Sequence, residues 1–231
     1  ELKDVVRAAL LQTSVFAGDT VIDVGANDGY LLSCYPILGR KAIMRVAYEP
    51  AQNLLEALKP HAEIVVPACF PPPEGYEFDR PVKIISSIAM FYDLDDPLAF
   101  VRAVDRCLHQ DGMWIVQMQD LAQMVDAHAV DNLCHEHLTY WSLAAFQKVL
   151  AGSDLHVVGA ERRPINGGSL RLIIRRRVYP VQPSVEHALL LERLSVDWQA
   201  LERFGWMAQS TAAQVRGILM RCLQHGITVE E

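Results

Sequence analysis

Two short stretches of the 231-residue chain bring together residue types able to do chemistry. The first is Asp23-Val24-Gly25-Ala26-Asn27-Asp28-Gly29-Tyr30, an acid followed by two glycines and an asparagine. Gly25 and Gly29 let the backbone turn tightly and approach a ligand without a Cβ in the way. Asn27 is one of the few other residues that tolerates a left-handed backbone. A loop of this kind suits a nucleotide-like ligand, although a buried tight turn with no ligand would look similar. It lacks what a phosphate cradle needs: no Lys follows Gly29, and Asn27 and Tyr30 stand where a dinucleotide fingerprint carries glycines. Glu49 stands 20 residues after Gly29, where an acid ending the next strand can accept hydrogen bonds from ribose hydroxyls.

The second stretch is Asp131-Asn132-Leu133-Cys134-His135-Glu136-His137, followed by Leu138-Thr139-Tyr140. Histidine side chains titrate near neutrality, which suits a general base. The same residues admit two other readings. Cys134, His135 and His137 carry zinc-ligand types, but no fourth ligand stands at a recognisable spacing, and a structural histidine pair is the other. No metal is therefore expected. Arg162, Arg163 and the run Arg175-Arg176-Arg177 could meet a diphosphate, although solvated arginines at strand ends are the more usual case.

The elements that must position these residues follow from hydrophobic periodicity. Residues 1–17 show helical spacing of Leu2, Val5, Val6, Ala9 and Leu10. Val21 to Val24 reads as a buried strand running into the glycine loop. Helix is then expected over 30–38, a turn at Gly39-Arg40-Lys41, strand over 44–48, helix over 51–58 and strand over 63–66. Five prolines between positions 67 and 81 predict a loop. Further strands are expected over 82–86 and 113–117, the latter entered by a turn at Asp111-Gly112, with a helix from Asp96-Pro97 to about 109 between them. Strands alternating with helices predict an α/β fold with a doubly wound, mostly parallel sheet. Helix over 142–150 and strands over 155–158 and 169–175 follow. Residues from 184 to about 224 predict one long helix or a pair, packing outside a simple sheet domain. The expected division is a catalytic domain over 1–178 and a helical extension over 179–231, a possible linker to a further domain and a possible homodimer contact.

Composition narrows the functional classes. A net charge of -7 argues against a nucleic-acid partner, which usually needs a basic face. No run reaches the roughly 18 consecutive apolar residues of a membrane span, so no membrane partner is expected. Five scattered cysteines without a C-x-x-C pair favour reduced thiols and a cytoplasmic location. The terminal Ile227-Thr228-Val229-Glu230-Glu231 shows no helix cap.

The acid-x-Gly-x-Asn-x-Gly loop with Glu49 resembles the nucleoside loop of class I S-adenosylmethionine methyltransferases. That resemblance implies a Rossmann-like fold and S-adenosylmethionine as cofactor, whose sulfonium and amino group suit an acid-rich site. It implies that Asp23, Gly25, Asn27, Gly29 and Tyr30 surround the methionine moiety and nucleoside, that Glu49 binds the ribose, and that Ser86 and Ser87 lie under the sulfonium. With the stretches from Ile84 to Pro97, Asp131 to Leu143 and Asn166-Gly167-Gly168-Ser169, the likeness narrows. Over about residues 15–176 the chain resembles the nucleotide-sugar C-methyltransferases, which methylate a carbon beside the ketone of a deoxy-keto-sugar nucleotide. That chemistry removes an α-proton so that the enolate carbon can attack the methyl group. The resemblance implies His137 as base, with Glu136 orienting it or binding substrate, and His135 and Tyr92 in the catalytic group. Asn166, Cys134 and Tyr140 become acceptor contacts, with Cys134 where the sugar enzymes commonly carry tyrosine. The family's usual cysteine-rich zinc module and its second α/β domain have no counterpart here. Either the chain is a fragment or it is a divergent relative. An O- or N-methyltransferase on another small molecule is the alternative activity, and a silent binding module the alternative of another class.

Overall fold

A computed structural model describes residues 1–36, 43–72 and 78–225. The expected turn at Gly39-Arg40-Lys41, the end of the helix expected over 30–38, and Ile227 to Glu231 lie outside the described residues. Seven strands form one sheet among the described residues: β1 (Thr20–Val24), β2 (Met44–Tyr48), β3 (Ile64–Val66), β4 (Val82–Ile88), β5 (Leu108–Gln119), β6 (Leu155–Arg163) and β7 (Ser169–Arg176). Their order is β3-β2-β1-β4-β5-β7-β6. The pairs from β3 across to β5 are parallel, and β7 runs antiparallel between β5 and β6. This is the doubly wound, mostly parallel α/β sheet expected from the sequence. The chain leaves β1 in one direction toward β2 and β3 and then returns to place β4 on the other side of β1. The carboxyl ends of β1 and β4 therefore flank the switch point where open α/β sheets bind ligands.

Both faces of the sheet are covered, which is why β1 is buried at all five positions. Side chains alternate between two cores, as strand periodicity requires. Ile22, Ile85, Trp114 and Val116 pack with Phe91, Phe100 and Phe146 on one face. Val21, Ile84, Met113 and Ile115 pack with Val5, Val6, Leu31 and Leu32 on the other.

The helices are α1 (Leu2–Gln12), α2 (Tyr30–Ser33), α3 (Leu55–Leu58), α4 (Pro97–Cys107), α5 (Leu121–Asp126), α6 (Leu143–Leu150), α7 (Pro183–Ser195) and α8 (Trp198–Gln224). Side-chain N-caps start four of them: Asp96 for α4, Asp120 for α5, Ser142 for α6 and Asp197 for α8.

Several elements differ from expectation. The helix after the glycine loop is one turn, and the helix expected over 51–58 splits into a 3-10 turn at Gln52–Leu54 and α3. The turn expected at Asp111-Gly112 is absorbed as a bulge within β5, where Leu108 and Met113 pair with Val82 and Ile84. β4 runs to Ile88, two residues beyond the expected end. β6 runs to Arg163 because Asn166-Gly167-Gly168 folds β7 back along its whole length.

The tail is a pair of helices, broken at Val196, which is extended. Val185 and Ala188 of α7 belong to the main core. Glu192 of α7 accepts hydrogen bonds from the backbone of Leu143 (2.5 Å) and Ala144 (3.2 Å), capping α6 from outside. The distal half of α8 is exposed, including Val215, Ile218, Leu219 and Leu223.

Candidate active site

β1 ends in Asp23 and Val24, and the chain then turns through Gly25 (φ 71°), Asn27 (φ 52°) and Gly29 (φ 81°). Gly25 and Ala26 donate to the Tyr48 carbonyl, stitching the loop to the end of β2. One residue further on, Glu49 is 6 % exposed and grips the loop with one carboxylate oxygen, accepting from Asn27 N at 2.8 Å. Its other oxygen accepts from Ala51 N at 2.9 Å. Each carboxylate oxygen can accept a second bond, so Glu49 has capacity left on a cavity that it lines.

That cavity, of about 470 Å³, lies at the carboxyl ends of β1, β2 and β4. Its walls include Asp23, Gly25, Asn27, Asp28, Glu49 and Met90. Three carboxylates and no Lys or Arg among the lining residues suit a cationic, ribose-bearing ligand without phosphate. The residues present therefore fit S-adenosylmethionine. Asp23 is 3 % exposed and takes a 2.6 Å hydrogen bond from Ser86 Oγ. Burial pushes its carboxyl up to about 7, the Ser86 bond opposing and the Glu49 charge adding.

Some residues expected around the cofactor do other work. Ser86 and Ser87 are wholly buried inside β4; Ser86 holds Asp23, and Ser87 Oγ accepts from Trp114 Nε1 at 3.1 Å. Ile88, Ala89 and Met90 stand at the cavity in their place, because β4 continues two residues further. Gly29 is off the lining: a Cβ there would come within 2.7 Å of Leu58 and 2.8 Å of His61, so glycine lets α3 close on the loop. Tyr30 is 45 % exposed and outside the lining, while Asp28 accepts from its backbone N–H at 3.0 Å.

A second cavity of about 540 Å³ adjoins the first, the two sharing Leu2, Ile88 and Ala89 as walls. Tyr92, Gln119, Asn132, His137 and Asn166 line it. His137 lies on an irregular loop and not on a strand. Its ring packs against Tyr92 at a tilt of 43°, with centroids 4.1 Å apart, and its Nδ1 is buried without a protein partner. Burial, then the Asp93 charge, raises the Tyr92 phenol to about 12, so it stays protonated at neutral pH and can donate. Asn166 (φ 48°) lies in a left-handed turn whose carbonyl accepts from Asn132 Nδ2 at 3.0 Å.

Of the other expected residues, His135 and Glu136 are exposed on the turn and outside the cavity lining. Cys134 contributes its backbone, donating its N–H to Tyr140 Oη at 3.2 Å. Tyr140 braces the loop in this way and does not line the cavity. The candidate arginines are engaged internally: Arg162 pairs with Asp120, Arg163 with Asp4 and Glu161, Arg176 with Asp105, and Arg175 and Arg177 donate to backbone carbonyls. Among the described residues no group of three or more His, Cys, Asp or Glu side chains is placed to hold a metal ion. No helix among them is long and apolar enough to cross a membrane.

Sequence reasoning missed Leu2, Ala89, Gln119 and Asn132. Ala89 has φ 55°, a conformation its residue type does not announce. Gln119 had a signal in retrospect, as a polar residue alternating with Gln117 on a buried strand.

Residues 1–160 match a family model described as a methyltransferase domain. C-methyltransferase NovU of Streptomyces niveus is 24 % identical over 219 residues, covering 92 % of this chain and 51 % of its own length. The chain thus spans about half the length of that curated relative. In structure it is similar to an S-adenosylmethionine-dependent methyltransferase from Clostridium acetobutylicum, with TM-score 0.56, 11 % identity, and coverage of 76 % of this chain and 90 % of that one. A putative methyltransferase of Bacillus halodurans gives the same score and identity over 77 % of this chain and 98 % of its own. A family match over more than half of the chain, on this sheet order and with this acid-lined loop, places the chain in the methyltransferase-domain family, with the class I methyltransferase fold.

Proposed function

We propose that this chain methylates a carbon α to the ketone of a nucleotide-linked deoxy-keto-sugar, with His137 as the general base. One observation carries the proposal: the acceptor cavity, with His137 and Tyr92 side by side, shares a wall with the cavity of Asp23 and Glu49. The cofactor supplies a methyl group on a positively charged sulfur. Everything else is the protein's part. Glu49 orients the ribose and Asp23 offers a carboxylate to the cationic end. His137, which lines the acceptor cavity, takes the α-proton on its imidazole; Nδ1 is enclosed by protein, which leaves Nε2 as the nitrogen open to substrate. Tyr92, protonated at neutral pH, donates a hydrogen bond to the oxygen on which negative charge then develops. Asn166 or Asn132 would hold a sugar hydroxyl. Support also comes from the printed activity of the 24 % identical relative, a C-methyltransferase. Since the candidate arginines are engaged elsewhere, the proposal for this chain concerns the sugar ring and its ketone.

Calorimetry should detect S-adenosylhomocysteine bound to the wild type and weakened at least about tenfold by Glu49→Ala, the loss of one or two charge-assisted hydrogen bonds. With a panel of keto-sugar nucleotides in deuterium oxide, the wild type should exchange the acceptor's α-proton, and His137→Ala should abolish this while binding S-adenosylhomocysteine normally. Methylation of an oxygen or nitrogen without α-proton exchange would instead favour the O- or N-methyltransferase alternative.

A further inference from the structure

The loop that carries His137 has little structure of its own. After a 3-10 turn at Val130–Asn132 the chain is irregular until Ser142, yet a base must be held to a fraction of an ångström. Two ties hold it. On one side of the histidine, Thr139 donates its N–H and hydroxyl to the Tyr92 carbonyl at 3.1 and 3.2 Å. On the other, Tyr140 Oη accepts from Cys134 N at 3.2 Å and lies 3.4 Å from the Cys134 carbonyl and 3.5 Å from that of Asn132. Tyr140 thereby closes the turn His135-Glu136-His137 across its neck. The His137 ring lies between two tyrosines, 4.1 Å from Tyr92 and 5.8 Å from Tyr140.

The Tyr140 ring in turn rests on a small separate core. Met124 and Val125 of α5 meet Ala200 and Phe204 of α8 there, with Ala129, Val130, Leu201 and Met207 at its edge. Phe204 is 7 % exposed, although two residues on, Trp206 is 74 % exposed. Phe204 lines neither the cofactor cavity nor the acceptor cavity.

We propose that the first turns of α8 set the position of His137 through Tyr140, making Phe204 and Tyr140 positioning residues for the base. The inference rests on the acceptor-loop reading above and assigns the helical tail a part in the reaction. Removing the Phe204 ring opens a void in the small core that Tyr140 packs against; the tyrosine then settles, its hydroxyl loses its grip on Cys134, and the histidine drifts from the acceptor carbon. A misplacement of about 1 Å in such a group costs on the order of 100-fold in rate.

The test uses the full chain with Phe204→Ala, Phe204→Leu and Tyr140→Phe. Hydrogen–deuterium exchange of the segment 131–138 should quicken at least about fivefold in Phe204→Ala and Tyr140→Phe, the effect of one lost hydrogen bond. Residues 20–30 should exchange as in the wild type, and S-adenosylhomocysteine affinity should stay within about twofold. α-Proton exchange from the keto-sugar nucleotide turned over by the wild type should fall about 10- to 100-fold in kcat, with the acceptor KM little changed. Phe204→Leu, which refills the void, should restore both readings. Unchanged exchange at 131–138 in folded Phe204→Ala, or a Tyr140→Phe defect confined to acceptor KM, would overturn the proposal. If Phe204→Ala does not fold, Tyr140→Phe decides, since it removes one hydroxyl. Should the wild type exchange no α-proton from any sugar, the acceptor reading fails, while the amide-exchange result still reports on the brace.

Discussion

Asp23 is an acid kept in a place that disfavours its charge. Burial raises its carboxyl to about 7, against an ordinary value of 3.8. An acid raised in this way contributes stability in full below its unfolded value and loses it as pH climbs through about 7. The cationic cofactor needs the opposite, an ionised carboxylate. Asp23→Asn should therefore raise the apo melting temperature most at pH 8, clearly less at pH 5, where only part of the penalty has developed, and barely below the unfolded value of 3.8. The gain is on the order of 2 kcal/mol, or roughly 4–8 °C for a domain of this size. S-Adenosylmethionine affinity of the wild type should weaken as pH falls from 8 to 6, and the Asn variant should bind weakly and with a flatter pH profile. Equal melting shifts at pH 5 and pH 8 would show that Asp23 does not titrate in this window.

At the scale of elements, the two loop glycines serve different ends. Gly25 needs its left-handed φ, but a Cβ there would sit an ordinary 3.5 Å from Met90. Gly29 needs both its φ and the space that α3 fills. Gly29→Ala should cost about 2–4 kcal/mol in denaturant unfolding, the sum of a left-handed alanine and an overpacked contact. Gly25→Ala should cost only the backbone part, about 1–2 kcal/mol, and show its larger effect in S-adenosylhomocysteine affinity, since it lines the cavity. The Asn166-Gly167-Gly168 turn repeats the packing case. A Cβ on Gly167 would come within 2.4 Å of Asn132 Nδ2, and one on Gly168 within 2.4 Å of Gln123. This glycine pair lets the β6–β7 turn close on the acceptor loop.

Across the whole molecule, α1 is drawn over the seam between the two cavities. Arg171 of β7, 2 % exposed, pairs with Asp4 at 2.7 Å and Glu1 at 3.1 Å, and its Nε donates to Gln117 at 2.9 Å. Arg163 adds a second bond to Asp4 at 2.9 Å. The bond from Arg171 holds the Asp4 carboxyl below its ordinary range. This latch places Leu2 in the walls of both cavities. Arg171→Met removes the buried partner of the network and should cost about 3 kcal/mol, a fall in melting temperature of roughly 6–12 °C. S-Adenosylhomocysteine affinity should fall with it at low salt. Asp4→Asn, at a half-exposed position that leaves Glu1 and Gln117 in place, should do less by both measures.

The sequence by itself determined the sheet and one end of the site. Val21 to Val24 is a strand because it is apolar on both faces, and Asp23, Gly25 and Asn27 follow at fixed short range. Glu49 ends the next strand, and its distance from the loop is set by one βαβ turn of chain. Such local signals need no tertiary knowledge. The long-range choices needed the fold. Ser86 and Ser87 went inward because β4 pairs with β5 as far as Ile88, which a run of small polar residues does not announce. Gly29 was claimed by α3, and His135 and Glu136 were left on the surface while His137 turned in. Tyr140 packs against a core that α5 and α8 build together, and Glu192 became a cap because α7 folds back onto α6. Periodicity reports which face of an element is apolar. It does not say which distant element meets that face, and that pairing decided which of the reactive residues line a cavity and which merely hold one in shape.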